Sequence, residues 1–353
     1  MRLIDRYIGV TVAVHFLVVM LLLLALFFFT FFVSELDEVG KNDYTILEAI
    51  QYVLLSMPRV AYQLFPTVAL LGSIIGLGML ATNSELVVLR AAGVSPNRIV
   101  ISVLKVGLLL MVLATLLGDV LAPITEAEAR TLHAASRGGK VALSSDDAFW
   151  ARDGSRFVYI GEFRYDGSMR DIIVYAIDQQ QRLSTVIHAE GAWFVGENWQ
   201  LENVSQSDIS EQGVTTSHVK KLEMASLLSP DLVRVVSVNP EFLSAWGLYK
   251  YVQYLRANQL QASRYELAFW RKIVTPLTTA VMMFVAIPFV FGPLRSAAIG
   301  SRIVVGTLVG MGFYVLNEIS GYVGLSYNLS PLAVVVLPPL LFLGLALHLA
   351  RRQ

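Results

Sequence analysis

Apolar residues are concentrated in six long runs separated by polar segments. The first run extends from Ile8 to Val33, and the others cover about residues 60–81, 99–122, 268–291, 303–320 and 331–350. About 20 consecutive apolar residues in a helix are enough to cross the hydrocarbon core of a bilayer. The pattern therefore predicts six membrane-spanning helices.

The first run also resembles a signal peptide, because Arg2 and Arg6 precede it. The apolar core of a signal peptide has roughly 7–15 residues and ends at a small-residue cleavage site. This run is longer and continues into the acidic segment 34–38. An uncleaved span that begins in the cytoplasm is expected.

Basic residues in the short loops predict the orientation of the spans. Arginines occur between spans two and three, between four and five, and after six: Arg90, Arg98, Arg295, Arg302, Arg351 and Arg352. The loop 34–57 is mostly acidic, and the loop 321–330 carries no charge. Because basic loops stay in the cytoplasm, the pattern predicts an inner-membrane protein with both termini in the cytoplasm and its large domain on the far side of the membrane, the periplasmic side.

A polar stretch of about 140 residues, 123–262, separates spans three and four. Turn signals such as Asp153-Gly154 and Asp166-Gly167 alternate with segments rich in β-branched and aromatic residues, for example 156–160 and 171–175. Short strands at this spacing are typical of sandwiches and jelly rolls. The predicted fold class is therefore an α-helical membrane protein of six spans with an inserted all-β, jellyroll-like periplasmic domain.

The expected domains are residues 1–122 with spans one to three, 123–262 with the β domain, and 263–353 with spans four to six. A helix over about 243–257 is expected to lead back to the membrane. Another, over about 45–57, has an apolar face and either lies along the outer interface or extends span two.

Composition excludes several classes of chemistry. The formal net charge is +0, which argues against nucleic acid as a partner. The absence of cysteine excludes disulfides and thiolate or Cys-based metal sites. The five histidines are far apart and lack metal-ligand spacing, and Gly138-Gly139-Lys140 lacks the rest of a phosphate loop. No catalytic centre, metal or cofactor is expected. His15 and His348 lie inside apolar runs and fit either interior packing or a proton relay.

The loop between spans two and three predicts a short helix over about 83–93. Thr82 and Glu85 have the spacing of a capping box, and Gly93 supplies a C-terminal stop. The body of this helix, Leu86-Val87-Val88-Leu89, is more apolar than a connecting loop requires. Docking into a groove of another protein explains that composition, whereas capping alone also explains Glu85.

Positive charge at the start of span four departs from the orientation rule. Arg264, Arg271 and Lys272 lie there, and they either extend toward the outer headgroups or form a rim that attracts an anionic amphiphile. Asp119 and Glu318 are expected partners for these cations. Two Gly-x-x-x-Gly motifs, Gly72 to Gly76 and Gly306 to Gly310, predict close helix packing within the fold or against a partner.

Several motifs together resemble the lipopolysaccharide export permeases over essentially the whole chain. They are Asp5-Arg6-Tyr7-Ile8-Gly9, residues 70–72 and 76–81, Ser84-Glu85-Leu86-Val87-Val88, residues 150–154 with 157–160, and Phe291-Gly292-Pro293-Leu294-Arg295-Ser296. The last motif favours one branch of that family over its LptF paralogue. One departure is that the outer end of span one retains only Lys41, whereas family members can place several lysines there.

The resemblance implies a non-catalytic permease subunit that pairs with an LptF-like paralogue, an LptB-like ATPase dimer and an LptC-like single-span protein. Such a complex extracts lipopolysaccharide from the inner membrane and passes it to a periplasmic bridge, and only the ATPase uses ATP. The implied ATPase-coupling residues are Glu85, Leu86, Leu89 and Arg90. The implied contacts to lipid phosphates are Lys41, Arg264, Arg271 and Lys272. The alternative function is a membrane sensor or scaffold with a ligand-binding β domain.

Overall fold

The computed structural model describes residues 3–41, 44–136, 149–163, 168–178, 180–195, 198–210, 213–225, 239–291 and 298–351. Arg2, Arg295, Arg352, the Asp166-Gly167 turn, Gly138-Gly139-Lys140 and most of the motif 291–296 lie outside these residues. The described residues divide into two compact units. One contains residues 1–34, 53–126 and 263–353, and the other contains residues 35–52 and 127–262.

Nine helices are described. They are α1 (Leu3–Glu35), α2 (Ile46–Thr82), α3 (Glu85–Ala91), α4 (Pro96–Leu116), α5 (Ala122–Ser136), α6 (Ala245–Ala257), α7 (Ser263–Phe291), α8 (Ile299–Ser326) and α9 (Pro331–Arg351). A π-helical turn, Leu117–Leu121, joins α4 to α5. Six helical segments among the described residues are long and apolar enough to cross a membrane, which confirms the six predicted spans.

The segment 45–57 extends span two, so one of its two expected positions is confirmed. It is the start of α2, which runs without interruption through Pro58 and Pro66. The start of α2 is capped reciprocally: the Thr45 amide donates to the Glu48 carboxylate at 2.7 Å, and the Glu48 amide donates to the Thr45 hydroxyl at 3.3 Å. This is a capping box, which satisfies amides that lack intrahelical partners.

The helical unit has a core of apolar side chains from α1, α2, α4 and α7. Its fully buried members include Ile8, Val12, Leu77, Val103 and Met283. Gly72 allows α2 to approach the backbone of α1 closely, because a Cβ there would lie 2.6 Å from the Phe16 Cα in α1. Gly306 and Gly310 face Leu71 and Thr67 of α2 in the same way. Both Gly-x-x-x-Gly motifs therefore pack within the chain.

The β unit contains a six-stranded antiparallel sheet in which every described strand pairs with the next. The strands are β1 (Phe149–Asp153), β2 (Arg156–Phe163), β3 (Met169–Ile177), β4 (Leu183–Val195), β5 (Asn198–Ser210) and β6 (Gly213–Ala225). The predicted fold class, six apolar helices with an inserted all-β domain, is confirmed. Among the described residues the strands form one meander rather than two facing sheets.

One face of the sheet forms the core of the β unit. Apolar residues alternate with polar ones along the strands, as a half-buried sheet requires, and the buried set includes Val158, Ile160, Ile172, Val174, Trp199 and Leu201. Helix α6 packs here through Tyr254, whose hydroxyl donates to the Arg152 carbonyl at 2.8 Å. The Ser244 side chain caps α6 by accepting the Gly247 amide at 3.1 Å.

Candidate functional site

The short helix α3 begins differently from its prediction. Thr82 is the last residue of α2, and its hydroxyl donates to the Gly78 carbonyl at 2.9 Å, one turn back. Ser84 precedes α3 in a left-handed conformation with φ of 59° and makes no side-chain cap. The predicted capping box is therefore wrong, because Thr82 still lies in the preceding helix and its hydroxyl bonds a carbonyl there.

The end of α3 agrees with the prediction. Gly93 has φ of +87°, a conformation that glycine adopts without a steric penalty. Its amide donates to the Arg90 carbonyl at 3.0 Å, and the Val94 amide donates to the Leu89 carbonyl at 3.0 Å. This is the Schellman pattern, in which the last carbonyls of a helix are satisfied by the residues that follow it.

The two faces of α3 have different surroundings. Leu86 is 4% exposed in the bundle core, and Leu89 packs against the same core. Val87 and Val88 point outward and are 48% and 65% exposed, and Arg90 is also exposed. Leu86 and Leu89, which were expected to couple to the ATPase, thus also anchor α3 to its own bundle. Val87 and Val88 of the predicted docking body form the outward face, and the three-residue spacing of Leu86 and Leu89 is typical of a shared buried face.

Glu85 is half-buried at the start of α3 and has two polar neighbours. The Asn83 side-chain amide donates to its carboxylate at 3.3 Å, and the Tyr7 hydroxyl of α1 interacts with it electrostatically. Glu85 therefore lies between α3 and the first span. Glu85 was predicted as a coupling residue, whereas Tyr7 was named only within the motif 5–9.

A buried carboxylate lies near the same end of the bundle. Asp5 of α1 is 6% exposed, and it accepts hydrogen bonds from the Ser102 hydroxyl at 2.9 Å and the Lys105 ammonium at 3.0 Å, both in α4. The Arg98 guanidinium is 3.6 Å away. These contacts hold the start of α1 against α4, the helix that follows the loop containing α3.

The four cations expected to contact lipid phosphates occupy different environments. Lys41 is largely exposed and forms an ion pair with Glu38 at 3.0 Å. Arg264 is exposed in the first turn of α7. Arg271 is mostly buried and contacts the Glu318 carboxylate of α8 at 3.4 Å, which confirms the expected pairing with Glu318. Gly321 leaves room for it, because a Cβ there would lie 2.4 Å from the guanidinium.

Lys272, which was expected to contact lipid phosphates, is buried among helices. It is 9% exposed, its ammonium donates to the Gly118 carbonyl in the π-helical turn, and it lies 5.1 Å from the centre of the Tyr62 ring. Gly118 packs so tightly that a Cβ there would be 2.2 Å from Tyr62. Burial of the Lys272 ammonium is favoured because the Gly118 carbonyl in the π turn accepts a hydrogen bond from it and the Tyr62 ring attracts a cation.

A polar cluster in the β-containing unit joins the far ends of α1 and α5 to the start of α2. The Glu35 carboxylate accepts the Tyr44 hydroxyl at 2.9 Å and lies 3.0 Å from the His133 Nε2. The His133 ring stacks on Tyr52 with centroids 4.8 Å apart. Burial, with the hydrogen bond to Glu35, raises the pKa of Tyr44 well above its ordinary value.

The two histidines inside apolar runs differ in their surroundings. The His15 Nδ1 donates to the Thr11 carbonyl at 2.7 Å, one turn earlier in α1. His348 lies on the exposed side of α9. The hydrogen bond of His15 favours interior packing over a proton relay. No group of three or more His, Asp or Glu side chains with metal-binding spacing occurs within the described ranges.

Comparison with known proteins gives one consistent assignment. Residues 6–352 match the family model of the lipopolysaccharide export system permease LptF/LptG. The lipopolysaccharide export system permease protein LptG of Escherichia coli K12 is 38% identical over 352 residues, covering 99% of this chain and 98% of that protein. The protein of the same name from Haemophilus influenzae is also 38% identical, with the same coverage.

The match extends through all six spans and the inserted β unit, so it concerns the whole architecture rather than one segment. It also agrees with the motifs in α1, α2 and α3 that carried the resemblance. This chain is a multi-pass inner-membrane protein and belongs to the LptF/LptG family of lipopolysaccharide export system permeases.

Proposed function

We propose that this chain is one of two permease subunits in an ATP-driven complex that extracts lipopolysaccharide from the inner membrane and passes it to a periplasmic bridge. In this proposal it pairs with an LptF-like paralogue above an LptB-like ATPase dimer. The ATPase alone hydrolyses ATP, so this chain has no catalytic role and needs no cofactor. The name shared by its relatives, lipopolysaccharide export system permease protein, supports the substrate class.

The exposed side of α3 is the observation that carries the proposal. A membrane protein rarely leaves a short apolar helix face open on a water-facing loop unless a partner covers it. Val87 and Val88 provide that face, and Arg90 lies beside them. Because Leu86 and the Schellman turn hold α3 firmly, a partner that moves α3 also pushes on the bundle.

Orientation follows from the same loop. We place α3 and both chain termini in the cytoplasm, where the ATPase is, and the β unit in the periplasm. The arginines near α3 support this placement through the positive-inside rule. The acidic and uncharged loops at the other ends of the spans support it as well.

Lipid contacts are proposed on the periplasmic side. Spans one and five, with those of the paralogue, line a cavity that lipid A enters laterally, and an LptC-like single-span protein packs beside span one. Lys41, Arg264 and Arg271 meet the lipid phosphates. Arg271 suits this role because an anionic phosphate can replace or join its partner Glu318. Lys272 instead supports the π turn from inside the bundle.

In the proposed cycle, ATP binding closes the ATPase dimer and displaces α3. The cavity between the spans then narrows and expels the lipid toward the β unit. The β unit passes it to the LptC-like protein and the bridge. Glu85 transmits part of this displacement to α1 through Tyr7.

Affinity purification from the native membrane tests the proposal. The wild-type chain is expected to retain an ATPase, a six-span paralogue and lipopolysaccharide, all identified by mass spectrometry. Val88→Asp should lose the ATPase and keep the paralogue, because a charge disrupts only the exposed face of α3. Leu3→Asp, at another exposed apolar residue, is the matched control. Purification of the wild-type chain without any ATPase would contradict the proposal.

A further inference from the structure

A buried arginine connects two membrane helices beside α3. Arg302 lies in the first turn of α8 and is 1% exposed. Its Nη1 donates to the Gly78 carbonyl and, at 2.8 Å, to the Thr82 hydroxyl. Both acceptors belong to the last part of α2, and only Asn83 and Ser84 separate Thr82 from α3. A side chain of α8 is therefore hydrogen-bonded to Thr82, the last residue of α2 before the loop that leads to α3.

The end of α2 is a favourable place for this charge. The helix dipole places negative partial charge at the end of α2, where Gly78 and Thr82 lie. The two N–H groups of the Arg302 Nη1 can serve both acceptors at once. Because a charge without such acceptors is costly among apolar helices, separation of α8 from α2 is strongly opposed.

Gly78 and Thr82 are shaped for this contact. A Cβ at position 78 would lie 2.7 Å from the Arg302 Nη1 and 2.8 Å from its Cδ, so a larger residue displaces the arginine. The Thr82 hydroxyl donates its own hydrogen to the Gly78 carbonyl at 2.9 Å, which leaves its lone pairs for Arg302. These three residues form a closed network that we name the α2–α8 latch.

Helix α8 extends from the latch to the proposed lipid contacts. It has 28 residues, which corresponds to roughly 42 Å at 1.5 Å per residue. Glu318, near its other end, contacts Arg271. A displacement of Arg302 is thus carried along one continuous helix to Glu318 and its partner Arg271, a proposed lipid contact.

We propose that the α2–α8 latch transmits the movement of α3 to α8, and that Arg302 is a positioning residue for the coupling of ATP hydrolysis to lipid release. The proposal rests on the function proposed above. Glu85 carries the movement of α3 to span one, and the latch carries it to span five. Thr82 lies just before residues 83–84 and Glu85 lies just after them. One movement of α3 caused by the ATPase therefore reaches both spans.

The test uses the complete complex in lipid vesicles and measures lipopolysaccharide released per ATP hydrolysed. Arg302→Met removes the charge at similar length, and Thr82→Val removes one acceptor without changing side-chain size. Both should lower release per ATP roughly tenfold, within the usual range for energetic coupling between two sites. ATP hydrolysis itself should change less than about twofold, because α3 remains anchored by Leu86. Arg302→Lys should restore part of the coupling.

A distance measurement separates transmission from a loss of folding. The chain has no cysteine, so spin labels can be placed at Tyr322 of α8 and Leu116 of α4, both exposed on the bundle surface. Nucleotide trapping should change this distance in the wild-type complex and in the control Arg6→Gln, an exposed arginine near the start of α1. It should leave the distance unchanged in Thr82→Val.

Each outcome has one meaning. If wild-type complexes couple ATP to release, and Arg302→Met and Thr82→Val behave like Arg6→Gln in both measurements, the latch is not the transmitting element. If the wild-type complex itself releases no lipid with ATP, the proposed function and the inference both fail. Should Arg302→Met not assemble, Thr82→Val alone decides, since it removes only one hydrogen bond.

Discussion

The two ends of the helical bundle use charged side chains in different ways. At the end near α3, Asp5 and Arg302 are almost fully buried, and each is satisfied by partners on another helix. At the far end, Arg264 is exposed, and Arg271 contacts the Glu318 carboxylate at 3.4 Å and the Asn317 carbonyl at 3.5 Å. Lys41, in the β-containing unit, is exposed as well. Charges near α3 therefore hold helices together, whereas those at the far end can exchange one anionic partner for another.

Lys272 differs from the other cations at the far end. It is as buried as the charges near α3 and bonds to a backbone carbonyl of the π turn. Its position in the sequence, next to Arg271, gives no sign of this difference. Adjacent positions in the sequence can therefore place their charges in different environments.

The largest expected effect comes from Gly118→Ala, which breaks the packing around Lys272. Its Cβ would lie 2.2 Å from the Tyr62 ring, and overpacking of this kind typically destabilises by about 1–3 kcal/mol. Thermal unfolding of the purified protein, followed by tryptophan fluorescence, measures the loss. Gly312→Ala is the control, because nothing lies within 4 Å of a Cβ there. Equal melting temperatures for the two variants would contradict the packing described for the π turn.

A second prediction concerns the exchangeable charges. Arg271→Gln should reduce the lipopolysaccharide that co-purifies with the complex roughly tenfold, the effect of losing about 1.4 kcal/mol of binding. Lys41→Gln should have a smaller effect, because Lys41 and its ion pair with Glu38 are exposed to solvent. Quantitative mass spectrometry of bound lipid compares them. A larger loss for Lys41→Gln would show that the main phosphate contact lies at the end of span one.

The smallest expected effect concerns the cluster around Glu35. Tyr44→Phe removes the hydrogen bond to Glu35 and should lower stability by about 1 kcal/mol. Tyr327→Phe, at an exposed tyrosine, should change nothing. Because the pKa of Tyr44 is raised on folding, its contribution should be complete below about pH 10, the ordinary tyrosine value. It should disappear only at higher pH, so a loss of stability between pH 7 and 9 specific to the wild type would exclude this explanation.

Long-range architecture followed from the sequence because its signals are strong. Six apolar runs long enough to cross a bilayer predict the spans. Turn signals that alternate with strand-like segments predict the inserted β unit. Local signals were weaker, as two Thr-x-x-Glu segments show. Thr45 and Glu48 form a capping box, whereas Thr82 and Glu85 do not. The difference is that Thr82 lies inside a helix and already bonds a carbonyl one turn back.

The candidate site was predictable only in part for the same reason. The composition of α3 indicated docking, but the choice between Leu86 and Val88 as the outward residue depends on how α3 packs. Tyr7 and Arg302 are distant from α3 in sequence, and only the folded bundle brings them to it. Arg302 was noted as a loop charge that sets orientation, and its burial against Gly78 has no local sequence signal.

We propose that α3 couples ATP hydrolysis to lipid release, and substitutions of Glu85 are the sharpest test. Lipopolysaccharide released per ATP hydrolysed should be measured for wild-type, Glu85→Ala and Glu85→Gln complexes in vesicles. We expect a decrease of roughly tenfold or more for Glu85→Ala. Complex assembly and melting temperature should be unchanged, and Glu85→Gln should be intermediate because it keeps the side-chain length and an oxygen that accepts from Asn83. An unchanged ratio in a fully assembled Glu85→Ala complex would contradict it.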